Sequence, residues 1–446
     1  MSAPRRRPAL IRWTVAAAVS AWFTLVSVPA GAQDDGLGAL AATIGIDLGV
    51  AADADVLGAD DAYDDLLVTD STMLSTIDDV AIGVVQPEPG VFDFARTDAI
   101  VDFAAANDLR VRGHGLVGPD NLPGWLTAGQ WTSEALTEVL REHVTTVVGR
   151  YAERNPGVVT QWDVVSEAFL PDGSRRPTIW QQVIGDDHLA IAFDAARAAD
   201  PDAQLFYNDF YDDLSIVDDA VESGVDLVPG ATAERTTCDA VPKCVGARAA
   251  LAGLVDAGVP IDGVGFQAHL FSPDPYDFGA FTDWVEPLGL RWAVTEFDVP
   301  LPVTEIANPD VLAFQADAYR TALTACIDDP ACDTFVMWGI TDRVSPIPAE
   351  TEGVFGGALP RDATDAPKPA HDALRELLTD RADAVAPATT APPTTQDPTA
   401  TAPPTSDEPP VNGDDDGDGP LVPIVAAAAL GAVALLVVRL RRRSTP

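Results

Sequence analysis

Gln161-Trp-Asp-Val-Val-Ser-Glu-Ala-Phe169 is the stretch that decides the fold. With Val158 and Val159 before it, it forms a short apolar run in which Trp162 and Asp163 interrupt β-branched aliphatics. A run of this length and composition reads as a strand buried on both faces, as in a parallel sheet. Ser166 and Glu167 then put a small polar residue and a carboxylate at the strand's carboxyl end, where α/β folds carry their chemistry. Arg291-Trp-Ala-Val-Thr-Glu-Phe-Asp-Val299 has the same form and closes on Glu296. Two glutamates, each ending a buried strand, are what retaining glycoside hydrolysis needs: an acid for the leaving oxygen and a carboxylate for the anomeric carbon.

Working outward, strand patterns are expected at 47–51, 66–69, 110–114, 159–165, 204–208, 263–267, 291–295 and 334–338. Helical patterns lie between them. Leu136, Leu140, Val144, Val147 and Tyr151 recur at helical spacing, and Asn155-Pro156-Gly157 stops that helix. Residues 184–199 repeat the pattern and end before Pro201. Eight such units fit a single (β/α)8 TIM barrel over residues 33–385. A doubly wound sheet would carry a glycine-rich phosphate turn after its first strand, and none is present.

The two ends read differently. Residues 1–32 have the arginines, apolar core and Ala30-Gly31-Ala32 site of a signal peptide. Residues 386–420 are rich in Pro, Thr and Asp and read as a disordered linker. Asp414, Asp416 and Asp418 resemble the start of a calcium loop, but its twelfth position is Val425, so they are assigned to the linker. Residues 421–440 are apolar enough for a transmembrane helix, and the basic tail at 441–446 would be cytoplasmic. The expected location is therefore the cell surface, with the barrel outside. A formal net charge of −42 over 446 residues argues against a nucleic-acid partner. Four cysteines in an exported chain suggest disulfides. Cys238–Cys244 with Cys326–Cys332 is the simplest of three connectivities.

Trp162-Asp-Val-Val-Ser-Glu-Ala-Phe169 resembles the acid/base segment of glycoside hydrolase family 10, the retaining endo-β-1,4-xylanases, and Thr295-Glu-Phe-Asp-Val299 resembles its nucleophile segment. The resemblance runs from about Leu37 to about Leu374. It implies that Glu167 is the acid/base and Glu296 the nucleophile. His269 and Asp298 would support Glu296, a His donating to the nucleophile and being oriented by a carboxylate. Arg112-Gly-His-Gly-Leu-Val117, Tyr207-Asn-Asp209, Ile261–Leu270 and Trp338-Gly-Ile-Thr-Asp342 are similar to further strand-end motifs. They imply sugar contacts from His114, Asn208, Gln267 and Trp338. Cys326–Cys332 is similar to a family cystine. No metal or organic cofactor is implied.

This sequence departs from the family in the sugar-holding shell. Ser166 stands where the family has Asn, and Asn121 where it has Gln. Gly118 and Pro346 replace two tryptophans. Thr69-Asp-Ser-Thr-Met-Leu74, taken as the segment after the second strand, gives Asp70, Ser71 and Leu74 where the family has a Glu-Asn-x-Met-Lys run. The expected function is that of a secreted, membrane-anchored retaining glycoside hydrolase acting on xylan or a related β-linked polysaccharide by double displacement, in a chain read as monomeric. The alternative is an impaired barrel that binds polysaccharide at the cell surface without cutting it.

Overall fold

The computed structural model describes residues 36–210, 237–270 and 278–385. The expected signal peptide, the linker, the 421–440 span and the basic tail lie outside the described residues. Among the described residues, no helix is long and apolar enough to cross a membrane. Eight parallel strands close into a barrel: β1 Asp47–Ala51, β2 Met73–Ser75, β3 Arg110–Gly113, β4 Val159–Ser166, β5 Gln204–Asp209, β6 Gly263–Phe266, β7 Arg291–Phe297 and β8 Cys332–Met337. Each pairs with the next, and β8 pairs back onto β1 with Leu48 beside Phe335.

The helix Ser133–Arg154 shows why the outer layer forms. Thr132 caps it by accepting the Ala135 N–H at 3.2 Å. Leu136, Leu140, Val144, Val147 and Tyr151 are all buried on one face. Gly157, at φ 77°, turns the chain toward β4. The helix expected at 184–199 begins three residues later, at Asp187, because Gly185 adopts a left-handed φ of 87°.

The second strand is a correction. Residues 66–69 lie in the helix Asp61–Asp70, capped by Asp60, and the strand is Met73–Ser75. The run Leu66-Leu-Val-Thr69 is apolar, but burial follows the helical period: Tyr63, Leu67 and Asp70 are buried while Val68 is exposed. A three-residue strand leaves almost no sequence signal. Asp70 and Ser71 therefore precede β2, and Leu74 is inside it. Asp70 is a structural tie: it accepts Arg361 at 2.7 and 2.9 Å and caps the Leu37 N–H at 3.2 Å. The segment that follows β2 is Thr76-Ile-Asp-Asp-Val-Ala81, and it holds no lysine.

Alternation along β4 sends Trp162 outward against Tyr151 and sends Gln161 and Asp163 into the barrel. There they meet Arg112 of β3, which is fully buried over the Phe206 ring. Arg112 Nε donates to Asp163 at 2.9 Å and Nη1 to Gln161 at 2.5 Å. Gln161 reaches across the barrel to Thr334 of β8 at 2.8 Å. The disulfides Cys238–Cys244 and Cys326–Cys332 are both formed, the second joining the helix Pro309–Asp328 to the first residue of β8.

A buried ion pair adds little net stability, but removing one partner strands the other charge. Arg112→Leu is therefore expected to cost about 3–5 kcal/mol in denaturant unfolding. The double variant Arg112→Leu/Asp163→Leu should lose less than the sum of the two single changes. Strict additivity would show that the pair is not energetically coupled.

Candidate active site

The barrel's carboxyl-terminal rim gathers one side chain from nearly every strand end. His114 follows β3, Glu167 follows β4, Asn208 lies near the end of β5, Gln267 follows β6, Glu296 lies near the end of β7, and Trp338 follows β8. β4 and β7 are separated by β5 and β6, so the two glutamates need a connection through the strands between them.

Asn208 and Gln267 supply it crosswise. The Asn208 carbonyl accepts the Glu167 backbone N–H at 2.9 Å, while its side-chain amide donates to Glu296 Oε1 at 2.7 Å. The Gln267 carbonyl accepts the Glu296 backbone N–H at 3.1 Å, while its side-chain amide donates to Glu167 Oε1 at 3.2 Å. Each amide thus holds the backbone of one glutamate and the carboxylate of the other. Thr295 donates its hydroxyl to Asn208 Oδ1 at 2.7 Å, which fixes that amide's orientation. Gly265 is required beside it: a Cβ there would fall 2.5 Å from Asn208 Oδ1.

Glu167 itself has a left-handed φ of 56°, rare for a residue with a side chain. Such a conformation costs about 1–3 kcal/mol and persists where neighbours over-determine it. Here Arg176 Nε donates to the Glu167 carbonyl at 2.8 Å, and the next N–H, of Ala168, donates to the Tyr207 hydroxyl at 3.1 Å. Arg176 also brings its guanidinium to 3.4 Å from Glu167 Oε2.

The two carboxylates have unlike surroundings. The Glu296 side chain is 5% exposed and that of Glu167 is 22%. Burial works to raise the Glu296 pKa. The charge of His114, the hydrogen bond and charge of His269, and the Asn208 amide overrule it and hold this carboxyl below its usual value. His269 Nε2 lies 3.1 Å from Glu296 Oε2, and its Nδ1 lies 3.1 Å from Asp298 Oδ1. Burial opposes charge on His269, but Asp298 and Glu296 keep its pKa well above the usual imidazole value. His114 is the second cation. Its Nε2 is 3.5 Å from Glu296 and its Nδ1 is 2.9 Å from Asp163. Against burial, the charges of Glu296 and Asp163 push its pKa up to about 9. Arg112 and His114 together hold buried Asp163 below the ordinary carboxylate value, although burial acts to raise it.

Trp338 is half-buried, its ring edge-on to His114 at 5.4 Å and to His269 at 6.0 Å. Ser166 pairs in register with Asn208 of β5. Its hydroxyl is buried without a hydrogen-bond partner among the described residues, and a Cβ on Gly115 would come within 2.9 Å of it. Asn121 is exposed, with a left-handed φ of 50°. It contributes a carbonyl that accepts the Gly83 N–H at 2.8 Å, and its side chain takes no part in the hydrogen bonds around the glutamates. Sequence reasoning did not single out Asp163 or Arg176 as site residues. Asp163 had a signal: a carboxylate inside an apolar strand, four residues before Glu167. Arg176 had none, because its place depends on how the loop after β4 returns to the strand end.

The His114 shift fixes a pH dependence. An imidazole titrates near 6.5 in the unfolded chain, and here its folded value is about 9. The stability gained from charging it is complete below about pH 6.5 and is lost as pH rises through about 9, up to about 3 kcal/mol in all. Unfolding free energy should decline across that window, and His114→Gln should flatten the decline. Identical slopes in the two proteins would rule out this linkage.

The family model described as "Glycosyl hydrolase family 10" matches residues 36–241 and 236–377. The chain is 32% identical to endo-1,4-beta-xylanase B of Thermotoga neapolitana over 356 residues, covering 79% of this chain and 94% of that protein. It is 35% identical to endo-1,4-beta-xylanase 5 of Pyricularia oryzae over 316 residues, 70% of this chain and 69% of that one. Among solved structures, native xylanase 10B from Thermotoga maritima superposes with a TM-score of 0.67 at 31% identity, covering 78% of this chain and 99% of that one. Xylanase 10B of Thermotoga petrophila, in complex with xylobiose, gives a TM-score of 0.67 at 30% identity over 78% of this chain and 98% of that chain. With the paired glutamates and their crossed amides in place on the rim of an eight-stranded barrel, these matches establish that the chain belongs to glycoside hydrolase family 10.

Proposed function

We propose that this chain is a retaining endo-β-1,4-xylanase in which Glu296 is the nucleophile and Glu167 the general acid/base. The observation that carries the reading is the crossed bracing by Asn208 and Gln267, which ties two carboxylates from separated strands to one place while their surroundings differ. Glu296, ringed by His114, His269 and Asn208, is suited to remain ionised and attack the anomeric carbon. Glu167, more open to solvent, gives its proton to the departing glycosidic oxygen and later takes one from the incoming water. Two displacements at one carbon restore the β configuration. Attack cancels the charge on Glu296, so the ester intermediate leaves His114 with Asp163 and His269 with Asp298 as their remaining counter-charges. The attraction of the two rings for a returning carboxylate favours release of Glu296 in the second step.

Xylan is supported as substrate by the names of the relatives and by the xylobiose bound in one similar structure. The shell around the sugars is this chain's own, with Gly118 and Pro346 in two loops and no lysine after β2. The sequence of residues 1–32 and 421–440 supports export and anchoring, with the barrel outside the cell.

Turnover of xylan with retained anomeric configuration is the expected result, followed by NMR of the first product. Glu296→Gln should lower turnover about 10⁴-fold or more. Glu167→Ala should lower it about 10²–10⁴-fold on xylan. An aryl xylobioside with a good leaving group needs no proton, so Glu167→Ala should still form the glycosyl-enzyme from it, and added azide should trap a β-glycosyl azide. An inverted product would exclude the double displacement. Glycan binding with no turnover above the Glu296→Gln level would make the chain a binding protein. For the anchor, deletion of residues 421–446 should move the protein from washed membranes to the medium; an unchanged membrane fraction would exclude that span as the tether.

A further inference from the structure

Lys243 carries a buried charge that the reaction as described does not use. It is one of two lysines in the chain. It stands in the first turn of the helix Pro242–Asp256, between β5 and β6. Its ammonium is 2.6 Å from Asp209 Oδ1, at the end of β5, and lies against the Phe210 ring. A buried pair of this kind adds little net stability, so its role is read from what the partner touches. The other oxygen of Asp209 accepts the Tyr207 hydroxyl. A phenol has one proton to give. With that proton directed at Asp209, the oxygen's lone pairs are left for a donor, and the donor is the Ala168 N–H at 3.1 Å. A line of contacts thus runs from Lys243 through Asp209 and Tyr207 to the peptide that joins Ala168 to Glu167, the residue held at a left-handed φ.

The same helix turn meets the loop after β4 at a second point. That loop doubles back on itself: Phe169 bridges Arg175, and the Arg176 N–H donates to the Ala168 carbonyl at 2.9 Å. Gly173 lies between the two arms, at φ 82°. A Cβ on Gly173 would fall 2.3 Å from the Pro242 carbonyl oxygen, and one on Gly246 would fall 2.3 Å from the Gly173 carbonyl oxygen, so backbone rests on backbone here. The returning arm delivers Arg176 Nε to the Glu167 carbonyl at 2.8 Å. The Glu167–Ala168 peptide is therefore gripped from both ends, its carbonyl by Arg176 and its N–H by Tyr207, and both grips trace back to residues 242–246. The Cys238–Cys244 disulfide and the Arg248–Asp239 pair at 2.7 Å fasten that turn.

We propose that Lys243 is a positioning residue for the general acid/base: through Asp209 and Tyr207 it fixes the Glu167–Ala168 peptide, and with it the aim of the Glu167 carboxyl at the glycosidic oxygen. The inference rests on the role given to Glu167 above. Lys243 acts on the reaction only through these groups. Loss of aim costs proton transfer and little else, because Glu296 is held by a separate set, His114, His269 and Asn208.

The test is the dependence of kcat/KM on the leaving group, measured on the full chain. Two aryl xylobiosides are compared: one releases phenol, which needs a proton to depart, and one releases a dinitrophenol, which does not. Lys243→Met should lose about tenfold or more on the phenyl substrate and less than about threefold on the dinitrophenyl one. Because that change strands the Asp209 charge, Lys243→Met/Asp209→Asn, which strands none, is measured beside it and should show the same selective loss. Tyr207→Phe, which keeps the ion pair and removes only the hydroxyl, should show it too. Thermal melts confirm that each variant is folded at the assay temperature. Equal losses on both substrates would mark a purely structural role, and no loss on either would show the contacts to be idle; each result overturns the proposal. The role of Glu167 is checked separately in the same assay. Glu167→Ala must itself lose selectively on the phenyl substrate, and if it does not, that assignment fails whatever the Lys243 variants do.

Discussion

Two amide side chains carry the geometry on which the rest depends. A carboxamide can donate and accept in fixed directions, and its own peptide unit offers a second donor and acceptor nearby. Asn208 and Gln267 use both at once, each binding the main chain of one glutamate and the carboxylate of the other. Displacing either strand end would break a backbone bond and a side-chain bond together. The left-handed conformation at Glu167 and the missing Cβ at Gly265 are local costs accepted to keep that arrangement.

Charge is organised along a second line that runs up the barrel interior. Arg112 neutralises Asp163, Asp163 orients His114, and His114 faces Glu296. Asp298 does for His269 what Asp163 does for His114. Each buried charge has an opposite neighbour, as burial in a low dielectric demands. One result is a Glu296 flanked by two cationic rings. Glu167 has a different setting: its carboxyl is partly open to solvent and stands near Arg176.

Long two-sided strands were legible because burial on both faces writes a continuous apolar run, as in β4 and β7. β2 was not, because three residues are too few to distinguish a strand from the apolar face of the helix before it. Asp70, assigned to the segment after the second strand, lies before β2 and belongs to a structural ion pair with Arg361. Ser166 and Asn121 were placed by their position next to motif residues. The Ser166 hydroxyl is buried without a hydrogen-bond partner among the described residues, and the Asn121 carbonyl accepts the Gly83 N–H.

The sequence by itself determined the barrel and the two glutamates, since a run of apolar residues ending in a carboxylate states both burial and a strand end within a few residues. It could not state which carboxylate sits among cations, because His114, Asp163, His269 and Asn208 come from four separate stretches of chain and act on Glu296 only through distance. Nor could it place Arg176 beside Glu167. Electrostatic and hydrogen-bond energies fall off over a few ångströms in space, and only barrel closure decides which residues, scores or hundreds apart in sequence, come within that range.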